Sequence, residues 1–189
     1  MLTRRNTLAG FGAMAAMMAS PPLGAASPRR RLPPRLREGD QVGLVAPAGF
    51  VADRFGLEEV DHVVRGMGLV PVHGRTLLAR NGYLAGDDNA RAADFNSMFA
   101  DPDVRAVFTV RGGWGAQRIL PLLDWEAIRG NPKLLIGYSD ITALHLAIAS
   151  RAGFPTIHGP NASASWPQDV WQAFREIAFE GKAPTYAMP

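Results

Sequence analysis

Along most of the chain, short runs that are apolar throughout alternate with longer stretches whose apolar positions recur every three or four residues. Val42–Ala46 (VGLVA) reads as a strand buried on both faces, ended by Pro47. Phe55–Gly66 reads as a helix with Phe55, Val60, Val63 and Val64 along one side. Leu69–Val72 is a second strand, Ala106–Val110 (AVFTV) a third and Leu134–Gly137 a fourth. Asp88–Ala100 fits a helix with Ala92, Phe95 and Phe99 inward, and Asp87 or Asp88 can cap it. Ile141–Ala152 is the next helix, Thr156–Ile157 a short strand, and Val170–Phe179 a last helix, with Trp166 and Trp171 as packing residues. Wholly apolar strands separated by helices predict an α/β fold: a doubly wound, mostly parallel sheet with helices on both faces.

The first residues break this pattern. Arg4-Arg5 precedes a weakly apolar run from Leu8 to Ala19, then Pro21-Pro22 and the small residues Gly24-Ala25-Ala26. That is the layout of an export signal, and the paired arginines point to the twin-arginine route, although Thr7 stands where such leaders usually carry an aromatic residue. Residues 1–26 are expected to be removed after Ala26, and the mature protein to be periplasmic. A basic Pro/Arg arm, 27–38, follows and is expected to be flexible to about Leu36. The body, 39–180, is a single domain, and 181–189 starts a linker. The apolar run of the leader is too short for a membrane span, and none is expected in the mature chain.

Composition changes one impression. The 189 residues carry 20 Lys and Arg against 17 Asp and Glu, a formal charge of +3. Seven of those arginines (4, 5, 29, 30, 31, 35 and 37) lie in the leader and arm, which leaves 13 basic residues against 17 acidic ones in the rest. A nucleic-acid footprint needs a basic face on the folded body, so none is expected. Cysteine is absent, so disulfides, thiolate ligands and a cysteine nucleophile are excluded.

Ligands of such sheets bind beyond the carboxyl ends of the strands, where three loops carry unusual chemistry. In Lys133-Leu-Leu-Ile-Gly-Tyr-Ser-Asp-Ile-Thr142 a buried strand runs into Ser139 and straight on into a helix. Such a turn lifts the hydroxyl clear of the sheet and sets the N–H of Asp140 where it can stabilise an oxyanion. Gly137 leaves room for the turn, while Ile141 stands where a G-x-S-x-G elbow has glycine. On this stretch alone a serine N-cap is the commoner role. Arg111-Gly-Gly-Trp-Gly115 can bring backbone close to a ligand and point N–H groups at an anion, or be only a flexible turn; it matches neither a dinucleotide fingerprint nor a phosphate loop. Pro47-Ala48-Gly49 is the third loop. His158 ends the last strand and serves either as a base or as a hydrogen-bonded structural histidine. His62, His73 and His145 read as residues without partners. No histidine pair sits near a carboxylate at ligand spacing, so no metal is expected.

Together these stretches resemble the LD-carboxypeptidase family of serine peptidases, which also includes microcin-immunity peptidases. The resemblance runs from about Gly39 to Pro160. It rests on Gly39–Pro47, Tyr83-Leu-Ala-Gly-Asp87, Arg91-Ala-Ala-Asp-Phe-Asn96, Arg111–Gly115, Leu120–Trp125, Lys133–Leu144 and His158-Gly-Pro160. It implies that Ser139 is the nucleophile and that the N–H groups of Asp140 and of Gly113, or its neighbour Gly112, form the oxyanion hole. Trp114, at a position often held by Tyr, would wall the substrate cleft, and Gly112 and His158 would border the substrate. The family cleaves the amide between an L-configured centre and a D-amino acid, typically releasing terminal D-alanine from murein tetrapeptides, and needs no cofactor. Its base and orienting acid, a His and a Glu, lie in a second, C-terminal domain, whose motifs are expected to be absent here. The chain would then be the nucleophile half, inactive or weak alone. A homodimer or another chain would supply the remainder, or the chain would be a binding module without catalysis.

Overall fold

The computed structural model describes residues 31–184. The export signal and the first part of the arm, 27–30, lie outside the described residues, as does the end of the linker. Five parallel strands form one sheet: β1 (Gln41–Val45), β2 (Val70–His73), β3 (Val104–Thr109), β4 (Leu134–Gly137) and β5 (Ile157–His158), in the order β2-β1-β3-β4-β5. Neighbours pair in register from Gln41↔Val70 through Val107↔Leu135 to Gly137↔His158. The helices are α1 (Arg54–Gly66), α2 (Asp88–Ala100), α3 (Trp125–Gly130), α4 (Thr142–Ala147, continued by a wide turn to Ala152) and α5 (Gln168–Arg175, continued to Glu180). A 3₁₀ stretch, Ala116–Leu122, precedes α3; its apolar spacing is broken by Pro121, and neither segment was legible in the sequence.

The two-residue alternation of the strands sorts the core into two layers. Val42, Leu44, Ala106, Phe108 and Ile136 face α1 and α5, whereas Val45, Val107 and Leu135 face α2, α3 and α4. Phe95 and Phe99 of α2 are fully buried, with ring centroids 4.9 Å apart; burying each is worth roughly 2–3 kcal/mol. Trp166 and Trp171 pack around Phe174 of α5, as expected. Carboxylates start the helices: Asp53 accepts from Gly56 N, Asp87 from Ala90 N, and Asp124 from Ala127 N. Lys133 Nζ donates to the carbonyls of Met98 and Asp101, closing the far end of α2.

Three expectations need correction. Phe55 is 67% exposed, because in the first turn of α1 it falls off the stripe marked by the buried Val60 and Val64. His73 and His145 both have partners: His73 Nε2 lies 2.6 Å from Asp61 Oδ1, and His145 bonds through both ring nitrogens. All three contacts join residues more than seven positions apart, beyond the reach of local pattern. The body also begins before Gly39, since Leu36 is buried and its N–H donates to Ala178 O at 2.8 Å.

Candidate active site

The strand order reverses between β1 and β3, so the chain leaves these neighbours in opposite directions and opens a crevice at their carboxyl ends. The three loops singled out above meet there. Gly49 N donates to Gly112 O at 3.1 Å, joining the loop after β1 to the loop after β3. A Cβ placed on Gly112 would lie 3.0 Å from Ser139 Cβ and 3.2 Å from its Oγ, so this loop abuts the one after β4. A side chain at that contact would crowd the serine, and Gly113 and Gly115 hold φ values of 135° and 132°, which favour glycine.

Ser139 has φ 65°, and it is the one non-glycine residue with positive φ among the described residues. A left-handed conformation costs an L-residue about 1–2 kcal/mol. Tyr138 before it is extended, and the chain turns at once into a 3₁₀ turn (Ser139–Ile141) that feeds α4. The serine is exposed, and its hydroxyl caps nothing: the cap position belongs to Tyr138, which makes no side-chain cap bond. Neither Gly113 N nor Asp140 N has an acceptor among the described residues.

Several side chains hold this turn. Asp140 Oδ2 accepts from Ala116 N at 2.7 Å, tying the serine turn to the segment that follows the glycine loop. Asn161 Oδ1 accepts from Thr109 Oγ1 at 2.6 Å and from Tyr138 N at 3.3 Å, so one buried amide oxygen links β3 to the turn. Gly137 is needed for that packing rather than for room in the turn itself, because a Cβ there would collide with Thr109 Oγ1 and lie 2.9 Å from Asn161 Oδ1. His145 Nε2 lies 2.9 Å from Gly137 O and Nδ1 lies 2.8 Å from Thr156 Oγ1. The carbonyl can only accept, so Nε2 carries the proton and Nδ1 accepts from the threonine. Burial pushes the His145 pKa down; the bond to Gly137 opposes this and the charge of His158 adds to it. On the other side of the crevice, the buried guanidinium of Arg91 donates to the carbonyls of Pro47 and Gly115 and pairs with Asp88, which also binds Arg118.

Trp114 is 58% exposed and rests against Tyr83, with ring centroids 6.2 Å apart, so the aromatic pair stands beside the glycine loop. His158 neighbours Gly137 across the sheet, but no hydrogen bond joins it to Ser139; it lines a groove of about 150 Å³ against α5, with Trp166, Asp169 and Phe174. A larger groove of about 430 Å³ opens beside Arg111, lined by Phe50, Val51, Glu59, Ser163 and Ser165. Among the described residues no group of three or more acids and histidines is placed to hold a metal, and no helix is long and apolar enough to cross a membrane. Sequence reading did not assign roles to Arg91, Thr109, Asn161 or the Asp140 carboxylate. Arg91 and Asp140 lay inside motifs already noted, and that membership was the available signal.

A doubly wound sheet with a strained, exposed serine between a buried strand and a helix, beside a glycine loop, has the layout of a hydrolase nucleophile elbow. Residues 42–159 match the family model described as the LD-carboxypeptidase N-terminal domain, and the chain belongs to that family. A Streptomyces coelicolor relative, provisionally named a carboxypeptidase, is 48% identical over 135 residues, covering 69% of this chain and 43% of its own length. The murein tetrapeptide carboxypeptidase of Pseudomonas aeruginosa is 40% identical over 124 residues, covering 65% of this chain and 40% of its own. In structure, a mutant of the microcin C7 self-immunity protein in complex with adenosine monophosphate superposes with a TM-score of 0.76 at 28% identity, covering 84% of this chain and 50% of that one. The chain thus spans about two-fifths of the length of these curated relatives.

Proposed function

We propose that this chain carries the nucleophile of a serine LD-carboxypeptidase that releases terminal D-alanine from murein tetrapeptides. The observation that carries the reading is Ser139: exposed, free of cap bonds, held at φ 65° and pressed against Gly112. Backbone strain kept at one exposed serine, at the sheet's ligand-binding edge, marks a functional position. Its hydroxyl would attack the scissile carbonyl. The N–H groups of Asp140 and Gly113 would hold the oxyanion, and water would release the acyl-enzyme. Trp114 and Tyr83 would wall the cleft.

The proton must go elsewhere. Both ring nitrogens of His145 are engaged, and His158 is not bonded to Ser139, so the described residues bring no base to the serine. The base and its orienting acid would come from a further domain or another chain, and the described unit would be inactive or weak alone. This same observation favours a second reading, a muropeptide-binding module without catalysis. The microcin-immunity neighbour, solved in complex with adenosine monophosphate, adds nucleotide-bearing compounds as a class to be assayed beside tetrapeptide.

The test is D-alanine release and tetrapeptide binding by this chain and by Ser139→Ala. Binding with little turnover is expected, with hydrolysis gained on adding the C-terminal domain of the Pseudomonas aeruginosa relative and lost in Ser139→Ala. Robust turnover by the chain alone would overturn the half-enzyme reading; binding that never yields hydrolysis leaves the module. We further propose periplasmic action after twin-arginine export. A reporter fused to residues 1–26 should stay inside cells lacking that translocase, and export in such cells would refute it.

A further inference from the structure

Several cations near the crevice are already committed to other groups, and Arg111 is not. Arg91 is buried on the Pro47 and Gly115 carbonyls and Asp88. Arg118 also pairs with Asp88. Arg80 donates to Ala52 O and lies over the Phe50 ring, 4.5 Å from its centroid. Arg111 is exposed and has no acidic partner within ion-pair distance among the described residues. It immediately precedes Gly112, the residue that abuts Ser139. Its methylenes lie over Gly49, where a Cβ would stand 3.2 Å from Arg111 Cδ. It borders the groove of about 430 Å³ whose walls include Phe50 and Val51.

We propose that Arg111 binds the terminal carboxylate of the residue that is released, and so makes the site an exopeptidase rather than an endopeptidase site. This rests on the carboxypeptidase reading of Ser139. Such an enzyme must read a carboxylate one residue beyond the scissile carbonyl, and one residue spans about 4 Å. An arginine beginning one position before the glycine that touches the nucleophile has the reach to meet it. The planar guanidinium fork matches a carboxylate in two parallel bonds, which an ammonium cannot do. Of the hydroxyls along the groove, Ser163 Oγ is committed to Val110 O at 2.5 Å, whereas Ser165 is exposed and available as a second donor. Glu59, the acid on this groove, stands outside ion-pair distance of Arg111 and leaves the guanidinium free for a ligand anion. The Phe50 and Val51 walls offer an apolar surface for a small side chain such as the methyl of alanine.

The test is calorimetry on the Ser139→Ala chain, which cannot turn substrate over. One ligand is a murein tetrapeptide ending in D-alanine, and the other is the same peptide with a C-terminal carboxamide. The acid should bind about 10–100-fold more tightly than the amide, the range for a hydrogen-bonded charge pair. Adding Arg111→Gln should erase that difference and leave amide binding unchanged, while Arg111→Lys should keep part of it. If Arg111→Gln weakens both peptides alike, or neither, the assignment is overturned and the reading of Ser139 stands. If neither peptide binds the Ser139→Ala chain, the muropeptide reading fails and the assignment fails with it.

Discussion

Replacing Ser139 by glycine should stabilise the protein, and the sign of that change tests whether the turn is strained. At an ordinary right-handed position, alanine to glycine costs about 0.5–1 kcal/mol, because glycine has more freedom to lose on folding. At Ser139 the backbone sits at φ 65°, where a Cβ costs about 1–2 kcal/mol that glycine does not bear. The hydroxyl caps nothing, so little is lost with it. Ser139→Ala keeps both the Cβ and the strain and serves as the reference. Ser139→Gly should therefore be more stable than Ser139→Ala by about 0.5–1 kcal/mol, from relief of about 1–2 offset by about 0.5–1. In a chain of this size that is a Tm higher by roughly 1–4 °C. The assay is urea unfolding of both variants followed by circular dichroism, with matching m-values required for the comparison. If Ser139→Gly is the less stable of the two by about 0.5–1 kcal/mol, the position behaves as an ordinary one and the strain reasoning is refuted.

Three further outcomes follow from the groups around this turn. Asp140→Ala removes the 2.7 Å bond to Ala116 N and should cost about 1–2 kcal/mol, with faster hydrogen exchange at the Ala116 amide; unchanged exchange there would deny the carboxylate its positioning role. Gly137→Ala forces a methyl onto Thr109 Oγ1 and should destabilise by about 2–4 kcal/mol through overpacking and a lost buried bond, whereas a near-neutral unfolding midpoint would show that Thr109 and Asn161 move aside freely. His145, with its pKa lowered in the fold, contributes stability that is present above the unfolded value of 6.5 and lost as pH falls through the folded value. The parent's Tm should therefore drop between about pH 7 and pH 5 more steeply than that of His145→Gln, and parallel curves would exclude this source of acid sensitivity.

The strands, the four longer helices and the three loops of the site were legible because each is written in a short stretch of chain. VGLVA, AVFTV and LLIG are apolar throughout, since a parallel strand covered on both faces has no polar side to show. Asp87 capping α2 and the run of Gly137, Ser139 and Asp140 between strand and helix are local signals of the same kind. Tertiary structure decided whatever depends on residues far apart in sequence. Whether Ser139 is a cap or a free hydroxyl turned on its φ of 65° and on Gly112, which approaches it from another strand. His145 and His73 gained partners, and Phe55 lost its place in the core, because burial follows how a helix docks rather than its own spacing alone. Arg91, 44 positions from Pro47, and Thr109, 52 from Asn161, hold the crevice by bonds across the fold. A side chain's local pattern states its chemistry; its partner is chosen only when the sheet order sets strands and loops side by side.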